Sequence, residues 1–159
     1  MKDVLKLLEK DCRLTPKQIA AMLGRDEGDI RDIIEKCEQN SILLGYKALI
    51  DWDKVSEEIV TALIEVKIAP QRGYGFDRIA ERIYQYDEVE SMYLTSGGFD
   101  FTVIITGRTL KEVAMFISQR LSPIEGVLST TTHFILKKYK EKHTIFAPEE
   151  EQKERPIFV

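Results

Sequence analysis

The chain has 159 residues, 43% hydrophobic and 31% charged, with 27 Asp and Glu against 23 Lys and Arg. That is the composition of an ordinary soluble globular protein of one domain or two small ones. No apolar run approaches the roughly 20 residues of a membrane span, and the charged start at Lys2 and Asp3 lacks the apolar stretch of a signal peptide, so the expected compartment is the cytoplasm. Cys12 and Cys37 have no Cys or His at metal-ligand spacing and read as reduced structural thiols, with no metal and no cofactor expected.

Residues 2–50 carry helical periodicity. Val4, Leu5, Leu7 and Leu8 stripe a first helix that ends near residues 11–13. Thr15, Pro16, Lys17 and Gln18 then form the sharpest local signal. Thr15 caps the backbone, Pro16 suits the first helical position, and Gln18 completes a capping box. Ile19, Ala20 and Leu23 make the inner face of a short second helix, and Gly24 supplies the left-handed residue that stops it. A third helix starts about Asp26 and buries Ile30, Ile33 or Ile34, and Cys37. Ala20, Gly24, Ile30 and Ile33 fall where a helix-turn-helix needs a small contact residue, a turn glycine and two aliphatic anchors. A three-helix bundle with no DNA role satisfies the same pattern.

Residues 42–50 look extended, and Asp51, Trp52, Asp53 and Lys54 read as a turn into a linker spanning 51–58. From there the pattern is strand, helix, strand, strand, helix, strand. Ala62, Ile64, Val66 and Ile68 alternate as a strand, stopped by Pro70 and a loop at Gly73 to Gly75. Phe76, Ile79, Ala80 and Ile83 mark a helix face. Residues 89–95 and 99–106 are strands around the tight turn Ser96, Gly97 and Gly98. Leu110, Val113, Ile117 and Leu121 stripe the next helix, and residues 127–136 form the last strand. This order predicts an α+β protein: a helix-turn-helix, winged-helix-like domain over 1–50, then a ferredoxin-like βαββαβ domain over 59–140. The sheet face away from its helices is expected to be apolar and covered by self-association. Residues 141–159 read as a polar tail, with the acidic run Glu149, Glu150 and Glu151 and the apolar end Ile157, Phe158 and Val159.

Four stretches in order resemble the Lrp/AsnC, or feast/famine, family of transcription factors over roughly residues 2–140. They are the helix-turn-helix frame, Leu43 to Asp51 (similar to I-x-G-Y-x-A-x-(L/I)-(D/N)), Ser96 to Phe101 (similar to the G-D-(Y/F)-D hairpin), and Gly126, Val127, Thr130 and Thr132 (similar to G-V-x-x-T-x-T). The resemblance implies a regulator rather than an enzyme. It implies binding of double-stranded DNA, dimerisation through the α/β domain with assembly into octamers, and an amino-acid effector held near the hairpin between dimers. No P-loop, dinucleotide fingerprint or Ser-His-Asp grouping argues otherwise, and His133 and His143 stand apart as ordinary surface or satisfied histidines.

Two departures qualify the resemblance. Asp26, Glu27, Asp32 and Glu35 crowd the third helix where the family commonly has Arg or Lys, and no region of the chain shows a basic stripe. The residues expected to meet DNA are therefore Lys17, Gln18, Arg25, Arg31, Lys36 and Lys47, and a sensor module that no longer binds DNA is the alternative function. In the hairpin, Gly98 stands where the family often has its first Asp, while Asp100 is retained. Ser96, Gly97, Gly98, Asp100, Thr130 and Thr132 are the expected effector residues, with a carboxylate for an ammonium group and turn amides for a carboxylate. The simpler reading is a two-glycine hairpin whose Asp satisfies its own loop.

Overall fold

Helix caps organise the first fifty residues in the computed structural model, which describes residues 1–55, 59–69 and 75–146. Helix α1 (Lys2–Lys10) ends at Asp11, whose extended backbone breaks the helix. Helix α2 (Pro16–Leu23) begins with the reciprocal capping box: the Gln18 N–H donates to Thr15 Oγ1 at 3.3 Å and the Thr15 N–H donates to Gln18 Oε1 at 2.8 Å. Gly24 ends α2 at φ 62°, in the left-handed region a side chain resists. Helix α3 (Glu27–Gln39) starts from Asp26, whose carboxylate accepts the Gly28 N–H at 2.7 Å. Val4, Leu8, Ile19, Ala20 and Ile30 fill the core of this unit, with Ile33, Ile34 and Leu43 packed against it. Both cysteines are free thiols, and Cys37 is buried.

The described residues from Asp51 onward form a second compact unit, distinct from Met1–Ile50. A short 3-10 turn (Trp52–Lys54) precedes β1 (Val60–Ile68), α4 (Asp77–Tyr84), β2 (Val89–Leu94), β3 (Phe101–Gly107), α5 (Leu110–Phe116) and β4 (Val127–Phe134). The sheet order is β2-β3-β1-β4 with every pair antiparallel, which is the ferredoxin-like arrangement. Period-two alternation decides its faces. Ala62, Ile64 and Val66 lie opposite Ile105, Val103 and Phe101 in register, and all are buried with Ile79, Ile83, Val113, Phe116 and Leu121 of the helical layer. Phe76 meets Phe101 edge-to-face at 6.1 Å, and Tyr86 meets Phe116 at 5.4 Å.

Several expectations need correction. Leu110 is 58% exposed because Thr109 caps the helix and leaves Leu110 in its open first turn; Phe116 takes the core position. A single π turn (Ile117–Leu121) follows α5, adding a residue to the spacing that delivers Leu121 inward. The second sheet face is mixed rather than apolar: by alternation and register it carries Leu63 and Ile104 beside Glu65, Lys67, Thr102, Thr131 and His133. The expected polar tail contains a small hairpin across its boundary, β5 (Lys140–Glu141) and β6 (Thr144–Ile145), turning at Lys142 and His143. Residues 56–58 of the linker, Pro70 and Gly73, and the terminal features at 149–151 and 157–159 lie outside the described residues.

Gly126 offers a direct test of this packing. Its φ is 96°, and a Cβ built there would sit 2.6 Å from Ile79 Cδ1. Gly126→Ala is expected to cost about 1–3 kcal/mol through strain and overpacking, read as a lower urea midpoint at unchanged slope.

Candidate functional site

On the helix-turn-helix, α3 carries two of the expected DNA contacts, Arg31 and Lys36. Arg31 Nη2 sits 2.6 Å from Glu27 Oε1 one turn earlier, and Arg25 Nη2 is 4.0 Å from Asp29 Oδ2. The Arg31–Glu27 pair is solvent-exposed and contributes little stability, so exchanging the carboxylate for a phosphate costs little. Lys36 and Lys17 are exposed on α3 and α2. Gln18 is less available, because its carbonyl oxygen accepts both from the Thr15 N–H and from the Thr15 hydroxyl, at 2.8 and 2.9 Å. Lys47 is exposed, and its backbone carbonyl faces Cys12 Sγ at 3.9 Å.

Residues 42–50 make no strand with the described residues, although the N–H groups of Ile42 and Leu43 both reach the Cys37 carbonyl. Tyr46 ties this segment back to α3: its hydroxyl donates to Glu38 Oε1 at 2.9 Å. Burial, and then that hydrogen bond, raises its pKa above the usual phenol value.

The hairpin between β2 and β3 is closed by the Thr95 N–H donating to the Asp100 carbonyl at 2.8 Å, with the Thr95 hydroxyl beside the same oxygen at 3.2 Å. Gly97 is at φ 146°, and a Cβ on Gly97 or Gly98 would meet nothing within 4 Å, so this turn borders open space. Asp100 has a definite structural duty. Strand β3 begins at Phe101, opposite Val66, which leaves the Ile68 N–H beyond the β1–β3 ladder, and Asp100 Oδ2 accepts that N–H at 2.8 Å. The Asp100 N–H in turn donates to the Val66 carbonyl at 3.0 Å. The carboxylate thus serves strand β1, 32 residues away in sequence, rather than its own loop.

Ser96, Gly97, Gly98 and Asp100 therefore lie together, but Thr130 and Thr132 do not join them. Those threonines face Val66 and Ile64 from β4, with β1 between them and β3. Thr130 Oγ1 is 3.5 Å from Ser122 Oγ. Sequence reading also passed over a cleft of about 540 Å³ at the opposite end of β3, lined by Thr106, Arg108, Glu112, Val113, Phe116 and Arg120 among others. Its charges pair across the wall, Arg108 with Glu112 at 3.0 Å and Arg120 with Glu88 at 2.8 Å. The first pair was visible at i,i+4 spacing; the second, 32 residues apart, was not.

Comparison with known proteins decides the family. The model of the Lrp/AsnC ligand binding domain matches residues 61–145. The HTH-type transcriptional regulator YugG of Bacillus subtilis is 45% identical over 152 residues, covering 95% of this chain and 92% of that protein. The chain belongs to the Lrp/AsnC family. A further family relative, the HTH-type transcriptional regulator LrpA of Pyrococcus horikoshii, is 30% identical over 139 residues, covering 87% of this chain and 96% of its own length. Among solved structures, the transcriptional regulator NMB0573 of Neisseria meningitidis, in complex with L-Met, superposes with a TM-score of 0.69 at 20% identity, covering 91% of this chain and 92% of that one. At that identity it supports the fold of this Lrp/AsnC chain. No helix among the described residues is long and apolar enough to cross a membrane.

The duty of Asp100 makes a measurable distinction. Asp100→Ala strands the Ile68 N–H and is expected to lose about 1–3 kcal/mol of stability, whereas Asp100→Asn keeps an acceptor oxygen and loses less. Urea unfolding of the two variants checks the order; equal losses would show that the carboxylate is not holding β1.

Proposed function

We propose that this Lrp/AsnC chain acts in the cytoplasm as a sequence-specific transcriptional regulator whose DNA binding or assembly responds to a small-molecule effector, an amino acid by preference. The observation that carries it is the capped α2–Gly24–α3 unit, which presents Arg31 on an exposed recognition face. In the bound state α3 enters the major groove, Arg31 exchanges Glu27 for bases or phosphates, and Lys17, Lys36 and Lys47 hold the backbone. Arg25 follows Gly24 at the turn between the helices and points toward Asp29 of α3.

For the effector, the open amides of Ser96, Gly97 and Gly98 suit a carboxylate, and Asp100 has acceptor capacity beyond its one N–H for an ammonium group. Since β1 separates Thr130 and Thr132 from this turn within one chain, those hydroxyls join the site only from a second copy. The bound L-Met in the neisserial regulator supports an amino acid as the ligand class. Assembly is proposed through residues 42–50: the segment joins no strand among the described residues and exposes Ile42, Leu44, Tyr46, Leu49 and Ile50. An antiparallel match with a second copy satisfies both backbone and side chains, giving a dimer that can build octamers.

A second reading has its own observation. Glu27, Asp29, Asp32, Glu35 and Glu38 outnumber Arg31 and Lys36 on α3, as in an effector-binding module whose helix-turn-helix is a scaffold. Gel retardation on the gene's own upstream region at low salt separates the two. The regulator reading expects a selective complex that Arg31→Ala weakens by about 5- to 150-fold with helix content unchanged. No selective complex with the wild type would leave the scaffold reading. Sedimentation at micromolar concentration is expected to show a dimer or larger; a monomer would contradict the pairing of residues 42–50.

A further inference from the structure

The densest positive charge in the chain lies outside the helix-turn-helix. Residues 137–143 hold Lys137, Lys138, Lys140 and Lys142 against the single Glu141, in a chain whose net charge is −4. Counting charge by domain hides the cluster, because the expected boundary at residue 140 divides it.

The β5–β6 hairpin gives those lysines a fixed frame. Lys140 pairs with Ile145 and Glu141 with Thr144, and the Phe146 N–H closes onto the Tyr139 carbonyl at 3.0 Å. Lys138 neutralises Glu141, Nζ to Oε2 at 2.6 Å, and lies 5.3 Å from the Phe146 ring. Lys137 rests 5.3 Å from the centre of the Tyr139 ring. Lys140 and Lys142 are left exposed, with no ion pair among the described residues. The turn itself places Lys142 and His143 at φ 42° and 69°. Such a turn ordinarily takes Asn and Gly, so cationic and titratable side chains occupy its tip despite the local backbone preference.

We infer that this hairpin is a second binding surface for the phosphate backbone of duplex DNA. Electrostatic attraction to DNA comes from clustered cations that displace counterions. Helix α3 supplies little of it: Arg31 is held by Glu27, and five carboxylates share the helix with Arg31 and Lys36. The hairpin supplies the missing charge, and does so without reading sequence, since phosphate contacts carry none. The inference rests on the DNA-binding reading above and can be tested apart from it.

The experiment titrates the full chain with its own upstream duplex and with an unrelated duplex across a salt series, for the wild type, Lys140→Gln/Lys142→Gln and Lys140→Arg/Lys142→Arg. The glutamine pair is expected to flatten the dependence of log K on log salt by about 0.9 for each lysine that meets a phosphate. It should weaken both duplexes by the same factor, and the arginine pair should keep the wild-type slope. An unchanged slope in the glutamine pair overturns the inference, as it would if the acidic run at 149–151 or any other carboxylate already neutralises these lysines. A wild type that binds both duplexes equally, with a slope that still depends on Lys140 and Lys142, would remove the regulator reading and keep the hairpin as a DNA surface.

Discussion

The register of β1 is the constraint on which the C-terminal unit depends. This strand lies between β3 and β4, and its alternate residues Ala62, Ile64, Val66 and Ile68 face the helical layer. A slip of one residue would carry Glu65 and Lys67 into that layer and turn Ile64 and Val66 out. Each large aliphatic side chain moved to water would lose about 1.5–3 kcal/mol, and each charge moved inward would cost more. Register therefore fixes where β3 begins against β1, and so fixes which N–H of β1 is left over. Asp100 meets that N–H, and the turn beyond it is held in place by the same contact. A candidate effector turn is thus built on the most strongly specified strand of the domain.

The helix-turn-helix half has its own small apolar core, and its surface carries opposing charge. Its helices depend on caps: Thr15 with Gln18, Asp26 with Gly28, and Gly24 in the left-handed turn. Asp26 and Glu27 at the start of α3 stabilise the helix through its dipole while repelling phosphate. The same carboxylates that secure the helix thus limit its affinity. On the proposed function, such a chain would discriminate by a few selective contacts on weak general attraction from α3, so its occupancy of DNA would respond to a modest change in assembly.

Much of this was readable from sequence where the cause is local. The capping box, the turn glycine and the alternation of β1 each rest on residues within a few positions of one another, and each is found in the structure. The fold class followed from the order of such elements. The reading failed where partners are remote or the signal is atypical. Nothing near Asp100 shows that its partner is the Ile68 N–H, and nothing near Arg120 points to Glu88. The last strand stops at Phe134, short of residue 136; beyond it the Ile135 N–H still donates to the Thr61 carbonyl of β1. The β5–β6 hairpin escaped notice because Lys142 and His143 occupy a turn that glycine and asparagine normally mark. Strand periodicity puts Thr130 and Thr132 on one side of β4, but it could not show that β1 separates them from the hairpin turn.

The central claim is that one molecule couples an amino acid to DNA. The direct measurement is the affinity of the wild-type chain for its own upstream duplex, by fluorescence anisotropy, without and with each of the twenty amino acids at millimolar concentration. Coupling of about 1–3 kcal/mol predicts that at least one amino acid moves the dissociation constant by roughly 5- to 150-fold. Twenty isotherms that all superimpose on the effector-free one would contradict the account.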